Sequence, residues 1–119
     1  MAVVGLSDKP YRPSQGVALY LQEQGYKIIP INPNITEALG EKAYTSLKEI
    51  PESIDVVDIF RKSQTVGPIV DEAIEVGAQT IWMQEGVLNE EAAQKARDAG
   101  LNVVMNKCMM KEHRRFFSN

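Results

Sequence analysis

A helix-type pattern, a glycine and a short apolar run follow one another three times along the chain. In the middle copy the apolar residues stand three and four positions apart, as on one face of a helix: Val66, Ile69, Val70, Ala73 and Ile74. Each helical pattern is followed by a glycine, which favours the left-handed conformation that ends a helix. The repeat therefore predicts helices over 17–24, 66–76 and 90–99.

The apolar runs between these helices are continuous rather than alternating. Short, β-branched runs of this kind are typical of strands that are covered on both faces. Because strands and helices alternate, we expect an α/β domain with an open, mostly parallel sheet. The five predicted strands are 2–4, 27–31, 55–59, 79–83 and 102–105. The irregular stretch 34–53 is expected to form a loop with a short helix over 47–50.

The composition agrees with a single globular domain spanning residues 1–119. Hydrophobic residues make up 44% of the chain and charged residues 24%, and no apolar run approaches the length of about 18 residues that a membrane helix needs. The 13 basic and 16 acidic residues give a net charge of −3, which argues against general nucleic-acid binding. Cys108 is the only cysteine, which excludes an internal disulfide and a multi-cysteine zinc site. Since the chain shows no signal-peptide pattern, we expect a reduced, cytoplasmic location.

A long loop follows the first predicted strand, at the edge where open parallel sheets bind ligands. Gly5 would let the backbone approach a ligand closely, and Ser7 offers a hydroxyl group. Lys9 and Arg12 offer positive charge. Ser14 is expected to cap the following helix, whose free N–H groups would then face a phosphate or pyrophosphate. The alternative is an ordinary surface loop with solvated charges.

This loop lacks the standard dinucleotide-binding fingerprint. Gly5 and Gly16 stand eleven positions apart, so neither a Gly-x-Gly-x-x-Gly motif nor a Walker motif is present. The second predicted strand is followed by Asn32, where a dinucleotide site usually carries an acidic residue that binds the ribose. Asn32 is neutral and would not repel an additional phosphate on that sugar. The pattern therefore disfavours a nicotinamide cofactor.

The later strand ends carry aromatic, cationic and thiol groups. Phe60 could contact an adenine or a ligand chain, and Arg61 could bind a phosphate. Trp82 suggests an apolar wall, although a core position explains it equally well. Cys108 lies where a thiol could meet a ligand tail, but a free cysteine is more often an inert, buried side chain. His113 lies in a charged stretch that we expect to face solvent, and no catalytic Ser/His/Asp or Cys/His pair can be inferred from spacing.

These residues together resemble the small, single-domain coenzyme A-binding proteins, whose fold is also that of the N-terminal domain of the succinyl-coenzyme A synthetase alpha subunit. The resemblance covers nearly the whole chain, and its motifs are specific through their order and spacing. Family members typically carry a helix before the first strand, whereas here Met1 directly precedes it, so either the natural chain is short or that segment is absent from this version. The motifs are Ala2-Val3-Val4-Gly5-Leu6-Ser7, Arg12-Pro13-Ser14 with Gly16, Gly25-Tyr26, Ile31-Asn32-Pro33, Gly40, Tyr44, Ser46-Leu47, Asp55-Val56-Val57-Asp58, Trp82-Met83-Gln84, Asn89-Glu90-Glu91-Ala92 and Asn106-Lys107-Cys108.

The resemblance implies a Rossmann-like, five-stranded domain, with helices on both faces of the sheet, that binds coenzyme A over the strand ends. It implies that the diphosphate lies against the first loop and the helix after it, at Gly5, Leu6, Ser7, Lys9, Arg12, Ser14 and Gly16. It also implies that the rest of the ligand follows the other strand ends. The adenosine would lie near Asn32 and Pro33, and the nucleotide or the start of the pantetheine near Phe60 and Arg61. The pantetheine would then run along Trp82, Met83 and Gln84, with its far end near Asn106 and Cys108.

The leading functional hypothesis is a module that binds coenzyme A or an acyl-coenzyme A without catalysis of its own. The family offers no established reaction to carry over, and the phosphorylated histidine of the synthetase lies on a separate domain and has no match in His113. The alternatives are a thiol-dependent transferase or redox protein using Cys108, and an NAD(P)-type nucleotide-binding regulatory subunit. Self-association and docking on a larger protein stay open, whereas neither nucleic acid nor a membrane is expected as a partner.

Overall fold

Five parallel strands form the central sheet of the structure, a computed structural model that describes residues 1–117. The elements along the chain are β1 (Ala2–Val4), α1 (Pro13–Glu23), β2 (Ile29–Ile31), β3 (Glu37–Ala38), β4 (Glu41–Lys42), β5 (Val56–Ile59), α2 (Val66–Glu75), β6 (Thr80–Met83), α3 (Glu90–Asp98), β7 (Asn102–Val104) and α4 (Met109–Phe117). The strands of the central sheet lie in the order β2-β1-β5-β6-β7. The predicted α/β fold with a five-stranded parallel sheet is therefore confirmed.

The order of the strands reverses between β1 and β5. The chain moves from β1 through α1 to β2 in one direction, and from β5 through α2 to β6 in the other. β1 is parallel to both neighbours, with Val3 opposite Pro30 of β2 and opposite Asp58 of β5. The carboxyl ends of β1 and β5 therefore flank a topological switch point, the place where open α/β sheets form a crevice.

Helices cover both faces of the sheet, which explains the continuous apolar runs of its strands. On one face, α2 and α3 pack against a cluster that includes Val57 and Ile59. On the other face, α1 and α4 pack against a cluster that includes Val56 and Phe60. Because successive strand residues point to opposite faces, Asp58 shares the α1/α4 face with Val56 and Phe60.

The three predicted helices are present, although α1 begins four residues earlier than expected, at Pro13. Proline is favoured in the first turn of a helix, because its fixed φ suits the helix and its missing N–H would have no partner there. Helix α3 lies close to the sheet because its buried residues are all small: Ala92, Ala93 and Ala96. None of the helices in the described part of the chain reaches the length and hydropathy of a membrane span.

Two elements of the structure differ from the expectation. The stretch 34–53 contains an antiparallel hairpin of β3 and β4 that was not expected, whereas the short helix expected over 47–50 is present as a 3-10 helix at Leu47–Glu49. The charged stretch 111–115, expected to be a solvent-facing tail, belongs to α4, which packs on α1. His113 is consequently half-buried, with its Nδ1 2.8 Å from the hydroxyl oxygen of Tyr20. Because the segment is highly charged, its sequence did not indicate that it forms a helix with one apolar side.

Gly5 allows β1 and β5 to approach each other at the switch point. Its φ of +89° lies in the left-handed region that favours glycine. A Cβ atom at this position would lie 2.5 Å from the carbonyl oxygen of Phe60, a backbone atom fixed by the sheet. The direction in which a Cβ atom of residue 5 would point is therefore filled by the Phe60 backbone, and glycine is required there by the packing of the protein itself.

We expect Gly5→Ala to lower the free energy of unfolding more than Gly100→Ala does. Gly100 has a nearly identical φ of +90°, but no atom lies within 4 Å of a Cβ built there. The Gly100 substitution therefore reports backbone strain alone, about 1 to 2 kcal/mol, whereas Gly5→Ala adds a clash with Phe60. Urea unfolding measures both losses, and equal losses would contradict the close approach at Gly5.

Candidate functional site

Two adjoining hollows open at the carboxyl ends of the strands. The larger, which we call the switch-point cleft, has a volume of about 540 Å³ and includes Ser7, Arg12, Ser14, Phe60, Gln84 and Glu85 in its lining. The smaller, which we call the α2-side hollow, has a volume of about 370 Å³ and includes Pro33, Thr45, Ser46, Thr65 and Glu72 in its lining. Arg61 and Lys62 line both, so these two cations stand where the hollows meet.

Hydrogen bonds within the loop after β1 fix one wall of the cleft. The Ser7 N–H donates to Oγ of Ser14 at 3.1 Å, and the Lys9 N–H donates to Oγ of Ser7 at 3.0 Å. The residue that precedes α1 as its N-cap is Arg12, and Pro13 takes the first helical position. The expectation that Ser14 caps the helix is therefore wrong: its buried hydroxyl lies inside the first turn and holds the loop instead.

Asn32 joins the end of β2 to the same loop. Its Nδ2 donates to the carbonyl oxygen of Leu6 at 3.0 Å, and its Oδ1 accepts a hydrogen bond from the Asn34 N–H at 2.9 Å. The Leu6 side chain is completely buried, so only its backbone takes part in this connection. The amide of Asn32 is thus engaged within the protein, whereas the neighbouring Pro33 is exposed and lines the α2-side hollow.

Positive charge is concentrated around the two hollows. Within residues 1–117, Arg12, Arg61 and Lys62 take part in no ion pair, whereas Lys9 lies 3.9 Å from a carboxylate oxygen of Asp8. The three cations gather at one edge of a chain whose net charge is −3. Cations without an acidic partner are suited to bind phosphate groups through charge-assisted hydrogen bonds. The switch-point cleft is therefore an anion-binding candidate.

Of the residues predicted at the end of β6, only Gln84 lines the cleft. Met83 is completely buried against α2 and α3, which leaves it no surface for a ligand. Trp82 points to the α1/α4 face, where its indole N–H donates to the carbonyl oxygen of Lys107 at 2.8 Å. Trp82 also borders a separate apolar hollow together with Met1, which lies beside the opposite ends of the strands.

The predicted residues after β7 have structural contacts of their own. Oδ1 of Asn106 accepts a hydrogen bond from the Gly86 N–H at 2.7 Å and so ties together the segments after β6 and β7. Cys108 is buried in the apolar cluster between the sheet and α1/α4. Lys9 and Gly16 are exposed and line neither hollow.

The structure thus brings seven of the predicted site residues together in the lining of the cleft: Gly5, Ser7, Arg12, Ser14, Phe60, Arg61 and Gln84. Thr45 and Ser46 line the adjoining hollow and were not predicted as ligand-binding residues, although Ser46 belongs to one of the motifs that carry the family resemblance. They lie in the irregular stretch 34–53, which offers no periodic signal. Lys62 was not predicted as a site residue either, although its position next to Arg61 was a signal available in the sequence.

Asp58 is a buried acid beside the cleft that was not predicted as a site residue. It is completely buried in β5, and its Oδ1 accepts a hydrogen bond from Nε2 of Gln84 at 2.6 Å, whereas its Oδ2 has no hydrogen-bond partner among residues 1–117. Burial raises its pKa from the usual 3.8 to about 7, and the bond from Gln84 opposes part of that rise. The signal available in the sequence was an acidic residue within an otherwise apolar strand.

A comparison with known families agrees with this geometry. A sequence model described as a CoA binding domain matches residues 1–114, nearly the whole chain. The chain belongs to the coenzyme A-binding domain family. The family resemblance inferred from its motifs is therefore confirmed.

Individual relatives share the fold and part of their length with this chain. The uncharacterized protein YneT of Bacillus subtilis is 47% identical over 113 residues, which cover 95% of this chain and 84% of YneT. The structure of a hypothetical protein from Pyrococcus horikoshii is 46% identical with a TM-score of 0.93, over 96% of this chain and 80% of that one. The alpha subunit of an ADP-forming acetate–CoA ligase from Pyrococcus furiosus is 30% identical over 120 residues, which cover 92% of this chain but 26% of the subunit. The chain is thus homologous to one domain of a longer ligase subunit.

We expect the contribution of Asp58 to the free energy of unfolding to fall as the pH rises from about 4 to about 7. In this window the unfolded chain has released the Asp58 proton, whereas the folded protein retains it because its pKa is about 7. The loss is up to about 1.4 kcal/mol for each pH unit. Above the folded pKa the loss is complete, and below the unfolded pKa it is absent.

Urea unfolding of the wild type and of Asp58→Asn across this pH range provides the measurement. The amide resembles the protonated acid in shape and cannot ionise, so the variant should lack this part of the pH dependence. The remaining carboxylates affect both proteins alike. Parallel pH profiles would show that Asp58 ionises normally in the folded protein.

Proposed function

We propose that this chain binds coenzyme A or an acyl-coenzyme A in the switch-point cleft, without catalysis of its own. The observation that carries the proposal is the group of cations with no ion pair in residues 1–117, Arg12, Arg61 and Lys62, around the crevice between β1 and β5. Membership of the coenzyme A-binding domain family supports the same ligand.

The shape and charge of the two hollows suit the parts of coenzyme A. A diphosphate needs cations and polar groups, which Ser7 and Arg12 offer at the loop after β1. An adenosine and its ribose phosphate need a second space with positive charge at its border, and the α2-side hollow beside Pro33 and Lys62 has both features. A thin pantetheine chain needs a mostly apolar path with few polar groups, which Phe60 supplies in the cleft.

The thiol-dependent alternative receives less support from the structure. Cys108 is 8% exposed and packs in the apolar cluster that contains Met109. A reactive thiol requires access and an electropositive environment or a partner base. Binding without chemistry at Cys108 is therefore the function that the site supports best.

Calorimetric titration with coenzyme A, acetyl-coenzyme A, 3′-dephospho-coenzyme A, NAD and ADP tests the ligand. We expect coenzyme A to bind more tightly than NAD and ADP, because it combines a ribose phosphate with a chain long enough to enter both hollows. Weaker binding of 3′-dephospho-coenzyme A would assign a cation to the ribose phosphate. NAD binding as tight as that of coenzyme A would contradict the proposal and favour a nucleotide-binding subunit.

We expect Arg12→Gln and Arg61→Gln each to weaken coenzyme A binding by about 10-fold to 100-fold, the value of a hydrogen bond to a charged group. Arg97→Gln is the matched control, since Arg97 is an exposed arginine in α3 and lines neither hollow. All three substitutions should change the free energy of unfolding by no more than about 0.5 kcal/mol. Equal loss of affinity in the control would mean that only the overall charge matters.

A further inference from the structure

We propose that ligand binding in the switch-point cleft is coupled through Gln84 to a proton on Asp58, so that the cleft binds an anionic ligand most tightly while Asp58 is neutral. The inference rests on the proposed function, because it concerns the regulation of the same cleft. It goes beyond that function by assigning a role to a side chain that no ligand can touch.

Gln84 connects the buried acid with the surface of the cleft. Gln84 lines the cleft although it is only 3% exposed, and its Nε2 donates to Oδ1 of Asp58 at 2.6 Å. Its Oε1 accepts a hydrogen bond from the Met109 N–H at 3.4 Å, at the start of α4. The side-chain amide of Gln84 is thus hydrogen-bonded at both its nitrogen and its oxygen. Ionisation of Asp58 would place a negative charge on the group that accepts from the nitrogen.

The surroundings of Asp58 accommodate its neutral form. Its Oδ2 is inaccessible to solvent and has no hydrogen-bond partner, so a negative charge there would be stabilised by one amide donor only. An ionised carboxylate in such a place requires more donors or a nearby cation. The geometry therefore favours a retained proton.

In residues 1–117, no cation forms an ion pair with Asp58. The strands β1 and β6 carry no charged residue, and α1 turns Val17, Ala18 and Leu21 toward the sheet. Burial and the Gln84 bond are the causes of the raised Asp58 pKa. Within residues 1–117, the titratable groups at the cleft edge and on α4 have positions or partners away from Asp58. Arg12, Arg61 and Lys62 line the cleft, Glu85 pairs with Lys111, Glu112 pairs with Lys107 and Arg115, Arg114 lies over the Tyr20 ring, His113 bonds Tyr20, and Cys108 is buried.

A phosphate in the cleft would repel an ionised Asp58. Gln84 is the cleft residue that is hydrogen-bonded to Asp58, and Phe60, another residue of the cleft lining, follows Asp58 by two positions on the same face of the sheet. A negative ligand in the cleft and an ionised Asp58 behind its wall are like charges, and because Asp58 is buried their repulsion is screened by salt less than that of an exposed pair. Ligand binding therefore raises the affinity of Asp58 for its proton, and by thermodynamic reciprocity the proton raises the affinity for the ligand.

The test is the dissociation constant of coenzyme A between about pH 5.5 and about pH 8.5, measured by calorimetry for the wild type and Asp58→Asn. The wild-type constant should rise across this range by about 5-fold or more beyond any rise in the variant, whose amide stays neutral. Titration of the ligand's own phosphate affects both proteins and cancels in the comparison. Identical pH profiles would overturn the coupling.

A second measurement uses the wild type alone and does not depend on the folding of the variant. Binding heats near pH 7, taken in buffers with different ionisation enthalpies, give the protons exchanged on binding. Asp58 should take up protons, whereas a ligand phosphate that meets arginine releases them. The exchange is repeated with 3′-dephospho-coenzyme A, which lacks the titrating monoester, and net release or no exchange with this probe contradicts the coupling.

The outcomes separate the two proposals. Coenzyme A binding with a pH profile unchanged by Asp58→Asn would leave the proposed function standing and remove the coupling. Absence of coenzyme A binding at every pH would remove the proposed function and the coupling with it. Proton uptake by the wild type together with a weaker pH dependence of binding in the variant supports both.

Discussion

The close approach of β1 and β5 at Gly5 determines the geometry of the ligand-binding edge. The Gly5 N–H donates to the Ile31 carbonyl oxygen at 2.8 Å, and the Phe60 N–H donates to the Val4 carbonyl oxygen at 2.8 Å, so the three strand ends are held together by backbone bonds. Because Gly5 has no side chain, the loop after β1 leaves the sheet directly beside the Phe60 carbonyl. The loop and the segment after β5 thereby become the two walls of one cleft, and both contribute cations to it.

The polar residues at this edge fall into two groups: those whose hydrogen bonds hold the loops, and those whose side chains remain available to bind a ligand. Ser7, Ser14 and Asn32 form hydrogen bonds within the protein, and these bonds fix the course of the chain around the cleft. Arg12 and Arg61 line the cleft and form no ion pair in the described part of the chain. Loops whose conformation is fixed in this way need little further ordering when a ligand binds, and a smaller ordering cost leaves more of the interaction energy for affinity.

The sequence was sufficient to predict the sheet, the helices α1, α2 and α3, and the edge at which the candidate site lies. These features depend on local patterns: an apolar face of α2, continuous apolar strands and a long loop at Gly5. The roles of Ser14 and Trp82 could not be predicted, because they depend on contacts with Ser7 and Lys107 that only the folded chain creates.

The charged segment of α4 gave no reliable local signal either. Its residues are mostly polar, and its apolar side becomes evident only where it meets Tyr20 of α1. The hairpin of β3 and β4 has only two residues in each strand, too few for an alternating pattern to be recognised. Elements of this kind are defined by tertiary contacts rather than by periodicity.

The buried Asp58 is not the side chain that would give the interior of this fold its greatest stability. An apolar side chain of similar size would fill the same space in β5 without leaving Oδ2 unpartnered, an arrangement that typically costs about 1 to 3 kcal/mol. Buried polar groups without partners are rare, and strained or unsatisfied groups cluster near functional sites. The position of Asp58, two residues before Phe60 and bonded to Gln84 in the cleft wall, places this cost at the binding edge rather than elsewhere in the core. A buried acid that is bonded to one amide in the cleft wall therefore has no explanation in the packing of the sheet alone, and this agrees with the proposed coupling to the cleft.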